Sequence, residues 1–117
     1  MTKNTPVTPV ETARAINELQ RAGRSGIPRN ELARLFGSDR RGRLVMAAIA
    51  ERGLAAVVTV PNPHGEGQVY RLAQSDAELQ QELAQLSSRI TRLHKRMAGL
   101  QRAWEAGGVR KEQEALL

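Results

Sequence analysis

Leu79, Leu83, Leu86, Ile90, Leu93, Met97, Leu100 and Trp104 follow one another at spacings that alternate between four and three residues without a break. Such a seam lays one narrow apolar stripe along a helix whose remaining surface is polar, so the stripe is covered only when a second helix packs on it. The chain is therefore expected to pair with a second copy through residues 75–106, and whatever the preceding residues do, they are expected to do in duplicate. In 117 residues there is room beside that helix for one small domain.

That domain holds little aromatic material. The whole chain has one Phe, one Tyr and one Trp, so its core must be built from Leu, Ile, Val and Ala, and its stability is expected to lean on association. The chain has no cysteine, which removes disulfides, thiolate metal sites and thiol nucleophiles and suits a cytoplasmic protein. Residues 1–8 are polar and lack the apolar run of a secretory signal. No window is long and apolar enough for a membrane span.

Charge is unevenly spread. Residues 1–75 carry 11 Lys and Arg against 6 Asp and Glu, net +5, whereas residues 76–117 carry 7 against 6, net +1. Of the 18 basic residues 15 are Arg, whose planar fork suits phosphate and guanine better than Lys does. A polyanion, double-stranded DNA above all, is the expected partner, on the nucleoid in the cytoplasm.

Local signals divide the chain into a flexible N-terminus (1–8), a globular domain (9–74), the seam helix (75–106) and a tail (107–117). Thr8, Pro9 and Glu11 form a capping box with proline at the first helical position, predicting a helix over 9–22 that ends at Gly23. A short helix follows over 28–36, with Leu32, Leu35 and Phe36 inward and Gly37 as its terminator. Ser38 caps a third helix that Gly53 closes, with Leu44, Val45, Ala48 and Ile49 facing the core and Met46 beside the outward Arg43. Two β-favouring runs, 55–60 and 68–72, flank a segment rich in turn formers and predict a hairpin. Ser75 and Glu78 form a second capping box that opens the seam helix, and Gly107-Gly108 ends it.

This order of helix, short helix, tight turn, helix and β-hairpin resembles the winged helix-turn-helix of bacterial and archaeal regulators such as the MarR and PadR families. The residues that carry the likeness are Glu31-Leu32-Ala33-Arg34-Leu35-Phe36 in the second helix and Ile49-Ala50-Glu51-Arg52-Gly53-Leu54 at the end of the third, over residues 9–72. The fold class expected is mostly α with a small β-hairpin and a long C-terminal coiled-coil helix. The resemblance implies a DNA-binding module whose third helix enters the major groove; winged helices also serve as protein-binding modules.

Arg40, Arg41 and Arg43 crowd the first turns of that helix, where its dipole disfavours cations, and Gly42 sits among them at a cost of about 1 kcal/mol relative to Ala. Docked phosphates reverse the dipole penalty. Projection around the helix points Arg43 outward with Arg40 on its flank, as candidates for guanine edges, and sets Ala47 where a thymine methyl would sit. Arg41 falls toward the core and is expected to hold a phosphate or a carboxylate at the domain edge. Ser38, Arg29 and Arg34 are candidate phosphate contacts, and Arg21 and Arg24 suit a helix C-terminus equally well. Arg71 is the one basic hairpin residue, and the tip, with Asn62, His64 and Glu66 but no Lys or Arg, is expected to read the minor groove weakly. Neither His64 nor His94 has neighbours at metal-ligand spacing, and no phosphate loop or nucleophile motif is present, so neither cofactor, metal site nor enzyme activity is expected.

The seam helix is acidic early (Asp76, Glu78, Glu82) and basic late (Arg89, Arg92, Lys95, Arg96, Arg102). Antiparallel pairing sets unlike halves together, and a register that matches Leu79 with Trp104, Leu83 with Leu100, Leu86 with Met97 and Ile90 with Leu93 uses every seam residue. The reading expected is a homodimeric, sequence-specific DNA-binding protein, a small transcriptional repressor acting by promoter occlusion. Its alternatives are a DNA-bridging architectural or plasmid-partition protein and a protein-binding adaptor that uses the helix to dock another partner.

Overall fold

The computed structural model describes residues 5–117. The elements run α1 (Pro9–Ala22), a 3-10 turn (Gly23–Ser25), β1 (Ile27–Pro28), α2 (Arg29–Phe36), α3 (Asp39–Glu51), β2 (Val57–Pro61), β3 (Gln68–Leu72), α4 (Asp76–Glu105) and α5 (Lys111–Glu114). The chain is thus mostly helical, with a small antiparallel sheet and a long C-terminal helix. It forms two compact units, the first ending at Gln80 and the second comprising Gln81–Leu117.

Helix starts follow their caps. The Thr8 side chain accepts from the Glu11 N–H at 3.2 Å, and the Glu11 carboxylate accepts from the Thr8 N–H at 3.0 Å, which completes the expected box. Ser38 accepts from the Arg41 N–H at 3.0 Å and starts α3. At α4 the box is incomplete: Ser75 accepts from the Glu78 N–H at 3.3 Å, but the Glu78 carboxylate takes the Gln74 N–H, at 2.9 Å, in place of that of Ser75. The carboxylate also pairs with Arg71. This bond ties β3 to the first turn of α4 within the first unit, which extends to Gln80 where an end at 74 was expected.

The core joins α1, α2, α3 and β1 through Ala15, Leu19, Ile27, Leu32, Val45, Met46 and Ile49, with Tyr70, Leu72 and Phe36 packed around it. Met46 is buried and Leu44 only half-buried, the reverse of the projected order. The reason is α2. Leu32 meets α3 at Gly42, so the buried stripe runs through 42, 45, 46, 48 and 49. A Cβ on Gly42 would lie 2.8 Å from Leu32 Cγ and 3.3 Å from its carbonyl oxygen. The glycine therefore serves close helix packing, a return for the propensity cost that the sequence alone shows.

The sheet has three strands in the order β1-β3-β2, where two were expected. β2 and β3 pair from Val57↔Leu72 to Pro61↔Gln68, and β1 adds Ile27↔Tyr70 and Pro28↔Val69 on the other edge of β3. Gly26 makes that approach possible. Its φ is +70°, and a Cβ there would lie 2.6 Å from Val69 Cγ2 and 2.8 Å from the Tyr70 carbonyl oxygen. The expected flexible N-terminus is held in part, since the Thr5 and Pro6 carbonyls accept from Arg41; residues 1–4 of that stretch lie outside the described residues.

In the second unit α4 continues without interruption to Glu105, and Gly107 and Gly108, both at positive φ, follow it. The short α5 then forms inside the segment expected to be a tail. Along the seam Leu83, Leu86, Ile90, Leu93, Met97, Leu100 and Trp104 are 41–76% exposed, while Leu79 is half-buried. No helix among the described residues is long and apolar enough to cross a membrane.

Candidate nucleic-acid interface

The nine side chains nominated for DNA divide by what already holds them. Arg41 is drawn into the first unit. Its Nε and Nη2 donate to the Glu11 carboxylate at 2.9 and 2.6 Å, and Nη1 and Nη2 donate to the Thr5 and Pro6 carbonyls at 2.6 and 3.0 Å. Only 18% of its side chain is exposed. The Arg41 bond, with the Thr8 N–H behind it, holds the Glu11 carboxyl at about 2, far below its ordinary 4.5. Of the two ligands expected for Arg41, the chain itself supplies the carboxylate.

Arg71 is held in the same manner, at 16% exposure. It donates to the Arg24 carbonyl at 3.0 Å and pairs with Glu78, whose carboxyl is held below its usual range by the Gln74 N–H first and then by Arg71. His64 Nε2 lies 3.4 Å from Ser25 Oγ, which ties the hairpin tip to the 3-10 turn.

The remaining nominees lie on the surface of α2 and α3. Arg40, Arg43, Ala47 and Ala50 share the exposed side of α3, with Ser38 at its cap. Arg40 has no hydrogen-bonding or charged partner among the described residues. Arg43 pairs through Nε with Asp39 Oδ2 at 3.1 Å and keeps 53% of its side chain exposed. Arg29, at the start of α2, grips the same Asp39 through Nε at 3.1 Å and Nη2 at 2.8 Å. These contacts hold the Asp39 carboxyl below its usual range, Arg29 foremost and Arg43 next. Arg34 makes a loose pair with Glu31 at 3.6 Å, one turn earlier on the same helix.

Two consequences follow for the arginine cluster at the start of α3. Its dipole cost is offset within the chain, because Arg41 faces Glu11 and Arg43 faces Asp39. The rule expected to be broken there is therefore kept, and phosphate is not needed to explain the fold. What remains is a geometric feature: two arginines project from a face otherwise made of Ala47 and Ala50, whose short side chains let the helix backbone approach a flat partner. Beside this face, Thr5, Pro6 and Val7 border an open groove with Arg40, Leu44, Ala47, Ala48, Glu51 and Arg52.

Asp39 is the residue that sequence reasoning left without a site role. Its spacing of four residues before Arg43 is a readable signal for an ion pair on a helix. Its bond to Arg29 depends on the turn between α2 and α3 and has no local signature. Among the described residues there is no cluster of three His, Cys, Asp or Glu side chains able to hold a metal. No family model matches the chain, and no curated protein or solved structure matches it.

Proposed function

We propose that the chain is a sequence-specific double-stranded DNA-binding protein of winged-helix type that acts as a homodimeric transcriptional repressor, occluding a promoter by occupying two half-sites. The observation that carries this reading is the face of α3 on which Arg40, Arg43, Ala47 and Ala50 are exposed among the described residues. Arginine is the side chain best shaped for guanine O6 and N7, and alanine suits the floor of a groove and a thymine methyl. Arg34 on α2 and the Ser38 hydroxyl supply backbone contacts that fix register, while Arg29, one edge of which is taken by Asp39, borders the surface. The net +5 of residues 1–75 supports the same partner. Arg41 and Arg71 act in this scheme as supports of the fold, since each is largely buried and paired with a carboxylate.

Dimerisation runs through α4, by antiparallel pairing in the register that uses all eight seam residues. That register also sets Arg89 level with Arg96 of the partner subunit on an exposed flank, a like-charge contact that costs about 0.2–0.5 kcal/mol. Covering each large seam residue contributes about 1.5–3 kcal/mol for full burial, so the seam outweighs the repulsion several times over.

The test is selection of bound duplexes from a random pool, followed by affinity measurements at several salt concentrations. A palindrome or repeat should emerge, with affinity falling steeply as salt rises. Arg43→Ala should relax preference at one position of the half-site, and Arg40→Ala at another or at a flanking phosphate. A pool that returns no motif, or variants that bind like the wild type, would remove α3 as the reading helix.

A further inference from the structure

We infer that Asp39 is a specificity-determining positioning residue: its carboxylate fixes the orientation of Arg43 for one guanine and keeps Arg29 and Arg43 from binding phosphate indiscriminately. The inference rests on the DNA reading of α3 and adds a role for a residue of the same sign as DNA.

The geometry is specific about which nitrogens are used. Asp39 Oδ1 and Oδ2 accept from Arg29 Nε and Nη2, so one whole edge of that guanidinium is occupied. Arg43 reaches Asp39 Oδ2 through Nε, at 3.1 Å. Nη1 and Nη2 form another edge of the fork, a pair able to bond guanine O6 and N7 together. Anchoring Nε fixes the plane of the guanidinium before DNA arrives, which lowers the ordering cost of the bidentate contact. Asp39 itself stands at the first position of α3, 43% exposed. Any phosphate brought to Arg29 or Arg43 must come close to this carboxylate and is repelled by it. A guanine edge carries no net charge and escapes that penalty. The same anion therefore favours base contact over backbone contact.

A role confined to the helix terminus makes a different forecast. An acid at the start of a helix stabilises it through the dipole, and losing it would weaken the fold and all DNA binding in parallel. The positioning role instead moves two affinities in opposite directions.

The experiment compares the full chain with Asp39→Asn, Arg43→Ala and the double variant, on the selected duplex, on the same duplex with its guanines replaced one at a time, and on a scrambled duplex. For the wild type, replacing the guanine read by Arg43 should cost roughly 5- to 150-fold. Asp39→Asn should bind the scrambled duplex a few-fold tighter, with a salt slope steeper by up to about two. Its penalty for replacing that guanine should shrink about tenfold, and adding Asp39→Asn to Arg43→Ala should not lower discrimination further. Asp39→Glu keeps the charge at the helix start while shifting the carboxylate, and should lose discrimination at unchanged thermal stability. It carries the test if Asp39→Asn folds poorly. An unchanged ratio of selected to scrambled affinity in Asp39→Asn or Asp39→Glu, or a parallel loss of both, overturns this inference and leaves the DNA reading in place. A wild-type chain that binds no duplex overturns both.

Discussion

Replacing Glu11 by Gln isolates a single charge, because glutamine can still close the capping box with Thr8 while giving up the ion pair to Arg41. In the folded chain the Glu11 carboxyl is held at about 2, against an ordinary 4.5. A folded value below the unfolded one contributes stability that is fully present above about pH 5 and is lost as the pH falls toward 2. Taken whole, that difference amounts to roughly 3 kcal/mol. The two side chains are 18% and 24% exposed, and solvent screening of such a pair lowers the figure to about 1–2 kcal/mol. Urea unfolding at fixed protein concentration, repeated from pH 7 to pH 2.5, measures it. Glu11→Gln should lower the midpoint near pH 7 by about 1–2 M, for a slope near 1 kcal/mol/M. The wild-type and variant curves should converge as the pH approaches 2, because the wild type then loses the same charge. A gap between the two that stays constant across this range would refute the reasoning, since it would show that the carboxylate's charge does not carry the contribution.

Gly42→Ala gains about 1 kcal/mol in helix propensity, yet its Cβ would lie 2.8 Å from the buried Leu32 Cγ; thermal unfolding should show net destabilisation of about 1–2 kcal/mol from overpacking, and a stabilised variant would deny the close approach of α2 to α3. Leu93→Asp should sediment as a monomer and bind its selected site more weakly, whereas a variant that stays dimeric would move the interface off α4. For orientation, Gln80→Cys mixed with Gln101→Cys should crosslink between chains through a short reagent, while Gln80→Cys alone should not; the opposite pattern would mean parallel pairing. Glu78→Gln should lower the unfolding midpoint of the first unit, because it weakens the partner of an Arg71 whose Nε is already buried without a hydrogen bond; unfolding unchanged by Glu78→Gln would show that the contact from β3 to α4 contributes nothing.

The sequence carried most of the elements because their signals are local. The Thr8 and Glu11 box, the Ser38 cap and the β-favouring run over 68–72 each lie within a few residues of the structure they specify, and the observed bounds Pro9–Ala22 and Gln68–Leu72 follow them closely. The seam of α4 was equally legible, since its period repeats over four turns and more. What stayed hidden depended on distant partners. β1 is two residues long and exists only because Gly26 lets Ile27 and Pro28 reach β3. The purpose of Gly42 could be read only once Leu32 was placed against it. Arg41 meets a carboxylate 30 positions earlier in the chain, and nothing in the spacing of Arg40, Arg41 and Arg43 distinguishes that fate from a phosphate contact. Of the candidate interface, the projection around α3 located Arg40, Arg43 and Ala47 on the open side and missed Asp39 between Arg29 and Arg43.

The central claim, that the exposed face of α3 is the DNA-reading surface, is tested most directly by mapping backbone and arginine side-chain NMR shifts while a selected duplex is titrated into the protein. The account predicts that the perturbations centre on Ser38, Arg40, Arg43, Ala47 and Ala50, with Arg29 and Arg34 at their margin. Shifts that leave α3 unmoved, or that gather instead on Arg89, Arg92 and Arg96 of α4, would contradict it.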